Sequence, residues 1–508
     1  MNSDSLRATG RQSQQRKEKD MISENLKQAR AQEEKKRKEI DMAQRPCCHF
    51  SVPTGWMNDP NGFSRYQGVY HLFYQYYPYG TSWNSMHWGH AVTEDLIRWK
   101  YLPAAMAPDQ TYDADGVFSG SAVEYQGKQC LLYTGVSEVH LPDGKRAVRQ
   151  TQCLAVGDGT DYEKYAGNPV ISSDQLPEGS SLEDFRDPKV WEEDGTYYMV
   201  VGSRHADGSG QILLYSSENL TEWKFETVID RCHNRYGKMW ECPDFFPLDD
   251  KQVLVVSPQD MQAEGLEFHN GNGTMFLAGT YDGEKKEFHR EWVQTVDYGL
   301  DFYAPQTLLA EDGRRIMIAW MKSWDNNMFP EGYEWNGMMT IPRELSIRDG
   351  RIYQNPVREL EKYRGEKTEH MGFNVDGECW LQGISGRMLD LTVELEPGNY
   401  ESFQIRLAEN DRFHSSITYR PGQRTLTFDR TYSGYCRDMA ATRSLYAGDG
   451  SGKLKLRIIL DKYSVEIFVN DGQSALTSLI VTPQEADGIH FLSEGEVDFS
   501  AYCWELNL

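Results

Sequence analysis

The sequence predicts an all-β protein in two parts, a radial array of four-stranded sheets and then a two-sheet sandwich, behind a charged helical leader. Three observations lead there. From about 46 to 350, short apolar or alternating runs recur between Gly, Asp, Asn and Pro. TEDLIRWKY, from Thr93, and SENLTEWKF, from Ser217, resemble each other at an offset of about 124 residues, as two repeats of about 62 would. Beyond 370, strict alternation returns in LDLTVELE, FQIRLAE, LTFDRT, LKLRIILD and YSVEIFVND, with turn residues between the runs.

Taken in order, residues 1–44 are rich in Lys, Glu, Gln and Arg, and NLKQARAQEEKKRKEIDMAQ has the composition of an exposed helix with many i,i+4 charge pairs. Few apolar residues are there to anchor it, so it reads as a solvated leader, with a packing or oligomerisation arm as the alternative. Residues 45–355 carry the clearest strands: VYHLFYQYY, QCLLYTG, TYYMVVGS, QILLYSS, QVLVVSP, TMFLAGTY and RRIMIAWM. A propeller accounts for them best, a large sandwich second. Residues 356–370 read as a linker and 371–508 as the sandwich, nearly all of whose carboxylates fall beside turns or on outward positions and suggest a mainly structural role.

Composition narrows the function. A chain of 508 residues is long enough for at least two cores. Seventy-seven acidic against 53 basic residues give a net charge of −24, which repels phosphate backbones and anionic membranes, so neither nucleic acid nor membrane is an expected partner. A neutral substrate suits this field, although a local basic pocket could take a phosphorylated sugar. The amino terminus lacks the apolar core of a secretory signal, and no run of about 18 apolar residues suggests a span. The nine cysteines are odd in number and without CxxC spacing, as reduced thiols would be. A cytoplasmic protein is expected.

Three carboxylates stand out. Asp59 lies in WMNDPNGF, which alone could be an Asx turn, but Tyr70, Tyr74, Gln75, Trp83, His87 and Trp88 follow closely, and aromatic faces with amides are what a sugar site needs. Asp187 lies in FRDPKVW, where a surface ion pair with Arg186 is the plain alternative. Glu241 lies in MWECPDFF among Met239, Trp240, Cys242 and Phe245; poor solvation there would favour the acid form a proton donor needs, against a plain strand-end Glu. A propeller would bring all three to one axis, and glycoside hydrolysis needs two of them. No metal or cofactor is required, and neither HExxH nor an EF-hand loop occurs.

WMNDPNGF, FSGS at 118–121, FRDP at 185–188, MWECPDFF, DFYAPQ at 301–306 and GMMTIPREL at 337–345 together resemble glycoside hydrolase family 32, the group of invertases, sucrose-6-phosphate hydrolases, inulinases and levanases. DRTYSG and YSVEIFVNDG look like that family's carboxy-terminal sandwich, so the resemblance runs from about 46 to the end. It implies a five-bladed propeller with the active site in its funnel, Asp59 as nucleophile, Glu241 as acid/base and Asp187 holding the fructosyl ring. It further implies that Asn58, Gln75, Trp83, Phe118, Ser119, Arg186 and Trp320 line the fructose subsite. The expected activity is retaining β-fructofuranosidase action on sucrose and short fructo-oligosaccharides, with sucrose-6-phosphate hydrolysis or transfructosylation through the same intermediate as alternatives, and a homo-oligomer is possible.

Overall fold

A computed structural model of the protein describes residues 22–140, 144–326, 328–434 and 438–508. Residues 1–21 of the expected leader, and Cys436, lie outside the described residues. Five antiparallel sheets, over residues 55–106, 116–164, 180–231, 239–295 and 303–356, are blades I to V. Their inner strands touch one another in a closed ring. The ring is locked by Trp335–Asn336, which pairs in parallel with Gly55 and Trp56, and by the Met339 amide, which donates to the Phe50 carbonyl at 2.8 Å. The first and last blades therefore share one core around Trp56, Tyr74, Trp320 and Trp335.

The two similar segments occupy the same place in blades I and III, the turn between the third and fourth strands. Asp95 caps the amides of Ile97 and Arg98, and Asn219 those of Thr221 and Glu222. Leu96 and Leu220 then take left-handed φ angles of 64° and 62°, and both are buried. An offset of two blades is what the sequence pattern implied.

The segment expected as a linker is a 3-10 turn, Arg358–Tyr363, followed at once by a long strand, Arg364–Cys379. That strand pairs with Gly488–Leu506. The latter passes between the two layers of the sandwich: its first half pairs with Ser402–Glu409 and its second with Leu389–Leu395.

The propeller and the sandwich meet along Ser474–Leu479, where the amides of Tyr298 and Asp301 donate to the carbonyls of Ala475 and Thr477 at 2.9 and 3.1 Å. Gly299 permits this approach, since a Cβ there would lie 1.9 Å from the Thr477 carbonyl oxygen. Two sandwich carboxylates, exceptions to the outward pattern, are fully buried at this junction. Asp461 bonds His49 Nδ1 (2.8 Å) and the amides of Cys47 and Cys48; Glu466 bonds His49 Nε2 (2.9 Å), the Ile341 amide (2.8 Å) and Arg343. Cys48, His49 and Asp461 offer three possible metal-ligand atoms within 4.8 Å of one another. Both histidine nitrogens already face carboxylates, and burial drives the Cys48 thiol pKa far up, so the group is built as a hydrogen-bonded ion cluster.

The described part of the leader departs from the reading of a solvated helix. Glu24–Arg37 is helical, capped by Ser23, and it lies on the outer strand of blade I. Its anchors are mostly polar: Asn25 donates to the Pro108 carbonyl (2.7 Å), Arg30 to the Ala104 carbonyl (2.8 Å), and Glu33 accepts from the Ala104 amide (3.1 Å). Only Leu26 and Ala29 add buried apolar surface.

Candidate active site

Each inner strand breaks register along its course past the site. The breaks fall at Met57/Pro60 in blade I, at Phe118/Gly120 in blade II, opposite Val200/Gly202 in blade III, at Glu241/Asp244 in blade IV and at Tyr303/Gln306 in blade V. In four blades a proline marks the break: Pro60, Pro188, Pro243 and Pro305. Proline cannot donate to a ladder, so it settles at a bulge, and a bulge re-aims the neighbouring side chain. Asp187, Cys242 and Ala304 adopt φ of 68°, 47° and 52° there, a cost that a functional site commonly carries. The bulges turn Asp59, Ser119 and Asp187 out of their sheets toward the axis, and Glu241 stands at the edge of the fourth.

These side chains wall an open cavity of about 840 Å³. Ser119 Oγ donates to Asp59 Oδ2 at 2.7 Å, and Asn58, whose Oδ1 accepts from Trp56 Nε1, donates through Nδ2 to Asp59 Oδ1 at 3.0 Å. The Cys242 thiol lies 3.5 Å from Asp59 Oδ2 and 3.6 Å from Asp187 Oδ2, and the Cys242 amide donates to Asp187 at 3.0 Å. Glu241 receives Arg186 Nε at 2.9 Å and Tyr303 Oη at 2.7 Å. Burial, aided by the charge of Glu241, raises the Asp59 pKa against the hydrogen bonds from Ser119 and Asn58. Burial and Glu241 likewise push Asp187 up, to about 7, with Arg186 opposing.

Of the residues expected to line the subsite, Asn58, Gln75, Trp83, Phe118, Ser119 and Arg186 are on this wall. Trp320 is not. It is fully buried beneath Trp324, which takes the wall position and is 40% exposed. The surroundings of Glu241 also differ from the apolar box that the sequence suggested. Trp240 and Phe245 point into the core of blade IV, and the carboxyl meets a cation and a phenol from blades III and V. Arg186 sends its guanidinium to Glu241 and Asp184, and from there its charge also opposes the rise of the Asp187 pKa. Tyr303 and Cys242 were missed as site residues, although the Pro one or two places after each of them would have marked both.

Two carboxyl groups and a third beside them, in an open cavity walled by aromatic and amide groups at a propeller axis, make the class plain: this is a glycoside hydrolase. The chain belongs to glycosyl hydrolases family 32, whose N-terminal domain matches residues 49–356 and whose C-terminal domain matches 359–505. It is 40% identical to a raffinose invertase of Escherichia coli, over 86% of this chain and 89% of that one, and 38% identical to a sucrose-6-phosphate hydrolase of the same species, over 89% and 92%. Among solved structures it resembles the Bombyx mori GH32 beta-fructofuranosidase (33% identity, TM-score 0.82, 95% and 98% coverage) and the sucrose-6-phosphate hydrolase of Lactobacillus gasseri (29%, 0.81, 96% and 97%). Among the described residues, no helix is long and apolar enough to cross a membrane.

Proposed function

We propose that the protein hydrolyses the terminal β-fructofuranosyl bond of sucrose and short fructo-oligosaccharides with retention of configuration. The observation that carries this reading is the convergence of Asp59, Asp187 and Glu241, from three blades, on one cavity wall. Asp59, both of whose oxygens are positioned by hydrogen bonds, attacks the anomeric carbon while Glu241 protonates the departing oxygen. Water, activated by Glu241, then opens the fructosyl-enzyme. Tyr303 has one proton and two acceptors in reach, Glu241 and the Ser257 carbonyl at 3.0 Å. When Glu241 is protonated it can donate to Tyr303, which donates onward to Ser257; when Glu241 is ionised, Tyr303 turns its proton to it. The phenol thus fits both states of the acid/base. Asp187, beside Cys242, accepts hydrogen bonds from the ring hydroxyls. A cytoplasmic location and a homo-oligomer belong to the same reading.

The test is fructose release from sucrose by wild type and by Glu241→Ala, with and without azide. Wild type is expected to release fructose. The variant is expected to lose most turnover and, on an activated fructoside, to regain part of it with azide as β-fructosyl azide, since azide attacks the intermediate without base help. A wild-type rate in the variant, or an α-configured azide product, would overturn the assignment.

A further inference from the structure

We propose that the fixed charges at the mouth of the cavity select an uncharged leaving group, a neutral hexose or a short neutral sugar chain, against a phosphorylated one. The proposal rests on the fructosidase reading above and concerns what lies beyond the cleaved bond. Besides the three central carboxylates, the cavity wall carries Asp115, Glu138, Glu183 and Asp184, and against these seven acids only two cations, Arg186 and Arg204. Both already face a carboxylate. Arg186 is buried between Glu241 (2.9 Å) and Asp184 (3.0 Å), and Arg204 leans on the other oxygen of Asp184 at 3.5 Å.

The hairpin that forms one side of the mouth repeats the pattern. Val136 and Glu138 on one strand, and Val148 and Gln150 on the other, face the cavity. Strand alternation turns Arg149, opposite Ser137, to the other face. Arg146, further out on the cavity side, is held by Glu138 at 3.1 Å. Arg186, Arg204 and Arg146 thus each sit against a carboxylate, while Glu183 adds a further negative charge. A phosphate on the leaving sugar would bring a charge of about −1.5 to −2 into this ring. Repulsion between like charges in a cleft walled by protein is stronger than in open water, and phosphate recognition normally needs an Arg or Lys free to chelate it. A neutral sugar meets no such opposition. The wall offers it the exposed faces of Trp83 (47%) and Trp324 (40%) and the amide of Gln259.

The test is kcat/KM for sucrose and for sucrose 6-phosphate, followed through fructose, their shared product, at about 10 and about 300 mM KCl. Sucrose is expected to be favoured by at least about tenfold at low salt, and salt is expected to raise the phosphosugar value about threefold or more while leaving sucrose unchanged, because screening weakens repulsion. The double variant Glu138→Gln, Glu183→Gln is expected to raise the ratio of phosphosugar to sucrose about fivefold at low salt. If that variant fails to fold, the salt response of the wild type stands as the test. Equal or better use of sucrose 6-phosphate, or a value that falls with salt, would overturn the proposal and leave the fructosidase reading intact. Fructose released from neither sugar would overturn both.

Discussion

Two groups of buried carboxylates, one in the funnel and one at the junction with the sandwich, share burial and differ in their partners. At the junction, Asp461 and Glu466 meet His49, Arg343 and four backbone amides. Burial pushes their pKa values up, yet these partners outweigh it and hold both below the ordinary range; burial likewise opposes the charge on His49, but its two carboxylates hold it up at about 9. Asp297 is the exception, raised by burial despite Arg343 and Thr477. In the funnel, Asp59 and Asp187 have few donors, face Glu241, and are pushed upward. A carboxylate fully matched by donors fastens the fold. One crowded by its own kind is unstable in the resting protein and is available to a substrate.

The comparison can be broken from either side. The largest effect is expected for Asp187→Asn, which removes the acceptor for sugar hydroxyls: kcat/KM on sucrose should fall on the order of a hundred- to a thousandfold with Tm unchanged or raised. At the junction, His49→Leu leaves two buried carboxylates short of a partner, so chemical denaturation should show a loss of about 3–5 kcal/mol, with kcat within about twofold in the folded fraction.

The same substitution carries a pH signature. The folded pKa of His49 is raised from 6.5 to about 9, so its contribution to stability is fully present below about 6.5 and is lost as pH rises through 9. The Tm difference between wild type and His49→Leu should therefore shrink from pH 6.5 to 9.5. A constant difference would mean that His49 acts by packing alone. A smaller effect is expected for Ser119→Ala, which removes a hydrogen bond that lowers the Asp59 pKa. Asp59 attacks only when ionised, so the acid limb of kcat/KM should move to higher pH, with about a tenfold loss below it.

Much of this was legible in the sequence because the site is written in short strings that coincide with bulges. NDP, RDP and ECP each place a carboxylate and a proline together, and a proline inside an apolar run signals a broken ladder. What failed has physical reasons. Trp320 and Trp324 lie four residues apart on a segment that leaves its strand, where alternation no longer reports which side faces the cavity. Trp240 and Phe245 turn into the core, so local sequence misreported the surroundings of Glu241, whose true neighbours, Arg186 and Tyr303, are 55 and 62 residues away. The leader docks through Asn25, Arg30 and Glu33, and polar anchoring leaves no hydrophobic periodicity to read. His49 and Asp461, 412 residues apart, gave no signal at all.

The most direct test of the contrast is a pair of isosteric changes, Asp59→Asn and Asp461→Asn, each measured for turnover on sucrose and for Tm at pH 7. The folded pKa of Asp59 is raised, so its ionised form costs stability at pH 7 and the neutral amide removes that cost; the folded pKa of Asp461 is lowered, so its ionised form supplies stability at pH 7 that the amide forfeits. Asp59→Asn is predicted to lose turnover and to keep or gain Tm, and Asp461→Asn to lose Tm and keep kcat in the folded fraction. Substantial turnover in Asp59→Asn, or an equal fall of Tm in both, would contradict the account.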